Sequence, residues 1–147
     1  MQLAHNSFVV VADGRKMMLL RNEGDAAYPN LEVVDVDAQD NPADRDQSSD
    51  RPGRSFQSFG LGHRSAYQET DFHQLEEDRF AAGMADILKQ RALRGDFDAL
   101  VVVAPPTTLG ELRKHYHKAV TERLTGEVAK DLTGHPIDQI EQILISS

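Results

Sequence analysis

Residues 7–20 read SFVVVADGRKMMLL, and this stretch decides the class of fold. Two apolar runs flank the dipeptide Asp13-Gly14, which is a strong signal for a hairpin turn. Leu31–Val36 (LEVVDV) then alternates apolar and acidic residues, as a strand with one solvent-facing side does. The first 37 residues therefore predict a three-stranded antiparallel meander.

The rest of the chain alternates helical and strand patterns. The predicted elements are a helix from the Asp71–Gln74 capping box to Gly95, a buried strand at Ala99–Ala104 (ALVVVA), a helix from Thr108 to about Arg123, a short strand at Gly126–Leu132, and a helix after His135-Pro136. This order predicts a single α/β domain over residues 1–147. We expect a mixed sheet of about five strands, about three helices and a ribonuclease H-like arrangement.

Composition narrows the class of partner. The net charge of -8 argues against broad, non-specific binding to nucleic acid or anionic membranes, so an anionic partner must meet a local patch. The absence of cysteine excludes disulfides, thiolate metal sites and a cysteine nucleophile. No apolar run approaches the roughly 20 residues of a membrane-spanning helix, and the N-terminus lacks the basic region of a signal peptide. We therefore expect a soluble cytoplasmic protein without membrane insertion.

Residues 38–71 form a long polar insertion in this otherwise periodic sequence. Loops beyond about 12–15 residues are uncommon in compact domains and are usually functional or disordered. Within the insertion, residues 51–68 (RPGRSFQSFGLGHRSAYQ) hold three arginines, a histidine and no acidic residue. A basic segment on an acidic chain is where we expect binding to occur.

The composition of residues 51–68 suits an anion such as RNA. Arginine can contact phosphate through two N–H groups, glycine permits close approach of the backbone, and aromatic rings can stack on bases. The candidate binding residues are Arg51, Gly53, Arg54, Phe56, Phe59, His63 and Arg64. The competing interpretation is a loop whose phenylalanines fold back on the core while its arginines pair with nearby acids.

Catalytic and metal-binding patterns are weak. A metal-dependent nuclease needs convergent carboxylates, yet the strand ALVVVA is followed by two prolines rather than an acid. His115 and His117 are two residues apart and so face different sides of a helix, and no HExxH motif occurs. We expect neither a metal nor a cofactor. Asp13, at the end of the first strand, remains a secondary candidate, as do Thr107 and Thr108, where a helix starts directly after a buried strand.

Five motifs together resemble the bacterial host-attachment protein family. They are ADGRKMMLL, RPGRSFQSFG, EEDRFAAGMADIL, LVVVAPPTTLGELR and VAKDLTGHP, and the resemblance covers about residues 6–145. The family takes its name from the attachment of plant-associated bacteria to host cells. It is in turn similar to the central domain of archaeal and eukaryotic peptide-chain release factors, which has a ribonuclease H-like layout and carries a GGQ tripeptide on a loop. Here residues 38–71 occupy the place of that loop, but neither Gln57 nor Gln68 follows a glycine pair.

The sequence therefore favours a non-enzymatic protein of the host-attachment family that binds RNA or a ribosome-like partner through residues 51–68. A release-factor-like hydrolase of esters or phosphodiesters, using the loop and Asp13, is one alternative. An adhesion-related protein–protein interaction module is another. We also expect self-association through an exposed sheet edge, because an uncovered edge strand is a template for pairing.

Overall fold

A computed structural model describes residues 1–38 and 66–147 of the chain. The elements in chain order are β1 (Phe8–Ala12), β2 (Lys16–Asn22), β3 (Leu31–Ala38), α1 (Ala66–Leu93), β4 (Leu100–Val103), α2 (Pro106–His115), α3 (Lys118–Thr121), β5 (Leu124–Val128) and α4 (Ile137–Ser146). The five strands form one sheet in the order β3-β2-β1-β4-β5. Pairing is antiparallel for β1–β2 and β2–β3 and parallel for β1–β4 and β4–β5. The mixed α/β architecture and strand order predicted from the sequence are confirmed.

The sheet is covered on both faces, because its central strand β1 and the neighbouring strand β4 are apolar throughout. Every residue of β1 and β4 is buried. Alternate residues of β1 point to opposite faces, so Phe8 and Val10 join one apolar cluster, whereas Val9 and Val11 join the other. Helices α1 and α2 contribute to the first cluster and α4 to the second.

Helix α1 begins at Ala66, upstream of the Asp71–Gln74 sequence expected to start it. The residues from 66 onward are mostly good helix formers, with neither proline nor glycine before Gly83, so nothing forces a later start. The predicted stop is confirmed. Gly95 has φ = 79°, its N–H donates to the carbonyl of Ala92, and the N–H of Asp96 donates to the carbonyl of Arg91, which is the Schellman arrangement.

The single helix expected from Thr108 to about Arg123 is wrong in two respects. Helix α2 starts earlier, at Pro106, a position that suits proline because the first N–H of a helix has no partner. It ends at His115, since Tyr116 is extended and His117 starts a new turn by accepting a hydrogen bond at Nδ1 from the N–H of Ala119 (3.0 Å). Three helices of the described residues are longer than one turn, and α3 is the fourth, short helix.

The last strand and helix shift by a few residues from the prediction. Strand β5 spans Leu124–Val128 rather than Gly126–Leu132, because its parallel partner β4 has only four residues and Val103 pairs with Val128. Helix α4 begins at Ile137, directly after His135-Pro136, and buries Ile140 and Leu144. Within residues 1–38 and 66–147, none of the helices is both long and apolar enough to cross a membrane.

Candidate functional site

One edge of the sheet brings together the ends of four strands. Strands β1, β4 and β5 are parallel, so their carboxyl ends meet at the same edge. Strand β3 ends there too, because it is antiparallel to β2, which is antiparallel to β1. We call this place the carboxyl-end edge, defined by the residues that follow β1, β3, β4 and β5. Ligands commonly bind at such edges in open α/β sheets.

Asp13 closes the β1–β2 turn at the carboxyl-end edge. Its Oδ1 accepts hydrogen bonds from the backbone N–H groups of Arg15 (2.7 Å) and Lys16 (2.8 Å), and its own N–H donates to the carbonyl of Lys16 (2.9 Å). Among the described glycines only Gly95 has a positive φ, so Gly14 does not use the left-handed conformation of the commonest Asp-Gly hairpins. The predicted hairpin is correct, and it is stabilised by the carboxylate of Asp13 rather than by a glycine in the left-handed conformation.

Thr133 joins the loop after β5 to the turn after β1. Its hydroxyl lies 3.1 Å from Oδ2 of Asp13 and 2.7 Å from Oδ1 of Asp131. The hydroxyl has one hydrogen to donate, so it serves one of the two carboxylates at a time. Beside it opens a shallow cavity of about 550 Å³, lined by Asp131, Thr133, Gly134, His135, Pro136 and Gln139. Hydroxyl, carboxylate, imidazole and amide groups therefore face the same space.

Thr107 and Thr108 lie in the first turn of α2, directly after β4. Thr107 is exposed and Thr108 is buried. The residue before the helix, Pro105, offers no side-chain cap, and the first turn contains no acidic residue. The positive end of the α2 dipole therefore faces the carboxyl-end edge without a compensating carboxylate from its own first turn.

Helix α1 passes the carboxyl-end edge at Glu77. A methyl group at Gly14 would lie 3.2 Å from Cγ of Glu77, so the two residues are in close contact. Residues 66–76 of the helix, about 16 Å of its length, precede this contact. Further along, Arg91 pairs with Asp35 of β3 at 3.6 Å.

A polar cluster between α1 and α2 lies next to this contact. Nε2 of His115 is 3.0 Å from Oδ1 of Asp78. Buried Glu111 accepts hydrogen bonds from Nε2 of Gln74 and from Nζ of Lys114, both at 3.2 Å. The hydrogen bond with His115 is the largest cause that lowers the pKa of Asp78 below its usual value. These contacts attach the N-terminal half of α1 to α2.

Tyr116 lies where α2 ends, and its side chain packs against the first apolar cluster. Its hydroxyl is buried and has no hydrogen-bond partner within the described part of the chain. Burial, with a smaller contribution from the carboxylate of Glu127, raises the pKa of this phenol well above its ordinary value. Glu127 itself accepts hydrogen bonds from Nε and Nη2 of the Arg113 guanidinium. Tyr116 therefore keeps its proton throughout the physiological pH range.

The predicted site residues fall into two groups. Arg51, Gly53, Arg54, Phe56, Phe59, His63 and Arg64 lie outside the described residues. Asp13, Thr107 and Thr108 all lie at the carboxyl-end edge, after the neighbouring strands β1 and β4. Thr133, Asp131 and Glu77 join them there without having been predicted as site residues. The sequence signal for Asp131 and Thr133 was the parallel order of β4 and β5. The segment VAKDLTGHP contains the end of β5 and the residues after it, just as LVVVAPPTTL contains β4 and the residues after it.

The described residues contain no group of three or more histidine, aspartate or glutamate side chains arranged to hold a metal ion. Residues 6–144 match the model of a protein family described as Bacterial archaeo-eukaryotic release factor family 12. The match covers nearly the whole chain, including all five strands. No curated protein matches the sequence.

Proposed function

The chain belongs to the bacterial archaeo-eukaryotic release factor family 12, and on that basis we propose that it is a non-enzymatic protein that binds the phosphodiester backbone of RNA through residues 51–68. The RNA is either free or part of a ribosome-like assembly. The two sources share the same phosphate chemistry, and experiment must distinguish them.

One observation carries the proposal. Residues 51–68 concentrate Arg51, Arg54 and Arg64 with no acidic residue, in a chain whose net charge is -8. Forked guanidinium contacts to phosphate are strong and directional. The chain enters the insertion at Ala38, the last residue of β3, and this end of β3 lies at the carboxyl-end edge, where α2 begins after β4.

The non-enzymatic part of the proposal rests on two features of the chain. The GGQ tripeptide of the related release factors is absent from the sequence. The carboxylate of Asp13 accepts hydrogen bonds from two backbone N–H groups and lies beside the hydroxyl of Thr133. These contacts are those of a residue that stabilises a turn. Turnover of charged tRNA or of RNA, with or without magnesium, would contradict this part.

The experiment that tests the proposal is capture of the tagged protein from lysate of its native cells, with and without ribonuclease. We expect RNA in the captured fraction, and its size distinguishes ribosomal subunits from free RNA. The matched variants are R51Q/R54Q/R64Q and K89Q/R94Q/K118Q, which make the same change in charge. The control positions are ion-paired with Asp86, Asp96 and Glu122, respectively. RNA captured equally by both variants would overturn the role of residues 51–68.

A protein–protein interaction module is the second candidate, and strand β3 favours it. β3 is at the edge of the described sheet, and Val33 and Val36 are 47% and 51% exposed. The backbone N–H groups of Leu31 and Val36 already donate to the carboxylates of Glu141 and Asp35, respectively. A partner that associates with β3 would therefore contact its exposed side chains more than its backbone hydrogen-bonding groups. Self-association that V33T/V36T abolishes in analytical ultracentrifugation would support this candidate.

We propose that any effect on host attachment is indirect and follows from RNA binding. The test is attachment of cells that lack the protein and are complemented with either matched variant. We expect K89Q/R94Q/K118Q, but not R51Q/R54Q/R64Q, to restore attachment. Detection of the protein at the cell surface by fractionation would instead favour a direct adhesive role.

A further inference from the structure

Three basic side chains differ from all the others in the described part of the chain. The side chains of Arg15, Lys16 and Lys130 have no hydrogen bond or ion pair with any residue there. Every other described lysine and arginine pairs with a carboxylate, except Arg123, which donates to the backbone carbonyls of Phe97 and Ala119. The lack of a partner within the described part of the chain therefore distinguishes Arg15, Lys16 and Lys130 from the other basic residues there.

All three cations lie at the carboxyl-end edge. Arg15 is in the β1–β2 turn, Lys16 is the first residue of β2, and Lys130 comes two residues after the end of β5. Strands β2 and β5 are separated by three strand spacings, or about 14 Å. Arg15 and Lys130 are exposed and Lys16 is partly exposed. The sheet therefore places these cations, which have no partner among the described residues, in a row along one edge.

Within the described residues, Asp13 and Asp131 do not pair with the three cations. Oδ1 of Asp13 accepts hydrogen bonds from the backbone of Arg15 and Lys16 rather than from their charged groups. Oδ1 of Asp131 accepts from the backbone N–H of Thr133 at 3.2 Å and from its hydroxyl at 2.7 Å. These two carboxylates therefore stabilise their loops, and the three cations have no carboxylate partner within the described part of the chain.

We propose that the carboxyl-end edge is a second contact surface for single-stranded RNA, in which Arg15, Lys16 and Lys130 bind phosphates of one strand. The proposal rests on the proposed function for the nature of the ligand, but it uses none of residues 39–65. The first turn of α2, which has no acidic residue, adds partial positive charge beside the row. The contacts are with the backbone, so they give affinity without base specificity.

The test is fluorescence anisotropy of a labelled single-stranded RNA with purified full-length protein over a range of salt concentrations. We compare R15Q/K16Q/K130Q with K89Q/R94Q/K118Q, whose change in charge is the same. Each phosphate contact on a single strand contributes about 0.7 to the slope of log Kobs against log salt. We therefore expect the edge variant to reduce the magnitude of the slope by roughly 2 and to weaken binding to all sequences alike.

A charge-preserving variant, R15K/K16R/K130R, distinguishes loss of charge from loss of fold. It should keep most of the wild-type affinity, and all variants should melt within a few degrees of wild type. An edge variant that binds as the control does, in a protein whose binding still depends on Arg51, Arg54 and Arg64, overturns this surface and leaves the proposed function intact. Wild-type protein that binds no RNA overturns both. Competition by polyglutamate as effective as that by RNA would also overturn the assignment of RNA as the ligand.

Discussion

Ala38, the last residue of β3, is paired with Lys16, the first residue of β2. This pairing places the start of the insertion beside the row of unpaired cations at the carboxyl-end edge. The basic residues of the insertion are distant in sequence from Arg15 and Lys16. The meander nevertheless places Ala38, where the insertion starts, on the strand next to Lys16.

The first prediction concerns Asn22, a polar side chain that is completely buried. Its Nδ2 donates to the carbonyls of Leu3 (2.8 Å) and Ala4 (3.2 Å), and its Oδ1 accepts from the N–H groups of Gly24 (3.0 Å) and Asn30 (2.9 Å). Asn22→Ala leaves these backbone groups unpaired, so we expect a loss of roughly 2–4 kcal/mol in the free energy of unfolding. Urea denaturation measures it.

Asn30→Ala is the matched control for Asn22, because Asn30 is exposed and only its backbone makes a contact in the described structure. We expect a change within about 0.5 kcal/mol. Equal effects of the two substitutions would contradict the role given to the buried amide.

The second prediction compares two glycines with opposite surroundings. A methyl group at Gly24 would lie 2.1 Å from the carbonyl oxygen of Tyr28, whereas one at Gly110, within α2, would meet nothing within 4 Å. Gly24→Ala should therefore destabilise the protein by roughly 2 kcal/mol or more, since backbone must move. Gly110→Ala should stabilise it by up to about 1 kcal/mol, because alanine favours a helix. Thermal denaturation of both variants checks the signs; a shift in the same direction would be contrary to this geometry.

The third prediction concerns the buried hydroxyl of Tyr116. Because this group has no partner within the described part of the chain, removing it restores no lost contact and relieves a desolvated polar atom. Tyr116→Phe should leave the free energy of unfolding unchanged or raise it by up to about 1 kcal/mol. A clear loss of stability in urea would mean that the hydroxyl makes an interaction that this structure lacks.

The fourth prediction is a pH dependence centred on Asp78. The hydrogen bond with His115 is the largest cause that lowers the pKa of Asp78 in the folded protein. The resulting stabilisation is fully present above the carboxyl's unfolded pKa of about 3.9 and is lost as the pH falls through the lowered folded value. The difference in unfolding free energy between wild type and Asp78→Asn should therefore shrink on acidification below about pH 4.

The comparison for Asp78→Asn is the same substitution in a protein that already carries His115→Ala, which removes the imidazole 3.0 Å from Oδ1 of Asp78. The pH dependence of the Asp78→Asn difference should be smaller there, because the largest cause of the lowered pKa of Asp78 is absent. The groups that face Asp78 are His115, Glu111 and Lys114. An Asp78→Asn difference that does not change with pH would remove the basis for this prediction.

The arrangement of the sheet could be predicted from sequence because its signals are local. Asp13-Gly14 between two apolar runs specifies a hairpin, and the run ending in Val103 has no polar residue and must be buried on both faces. The break at Tyr116 could not be predicted in the same way, because a histidine side chain, rather than proline or glycine, starts the next turn.

The candidate site was harder to predict because it depends on register between distant strands. Thr133 reaches Asp13 across 120 positions of the sequence, and no local pattern connects them. Likewise, Arg15, Lys16 and Lys130 stand out only when every other ion pair is known. Residues of this kind require the three-dimensional arrangement, whereas the arginines of residues 51–68 were evident from composition alone.

The most direct test of RNA binding is the salt dependence of affinity for wild type and for R51Q/R54Q/R64Q, measured by anisotropy with one single-stranded RNA. We predict that wild-type binding weakens steeply with salt, because contacts to phosphates release counterions. We further predict that the triple variant loses binding while its melting temperature stays nearly the same. An affinity for RNA that the triple substitution leaves unaltered, or the absence of RNA binding by the wild-type protein, would contradict the proposed function.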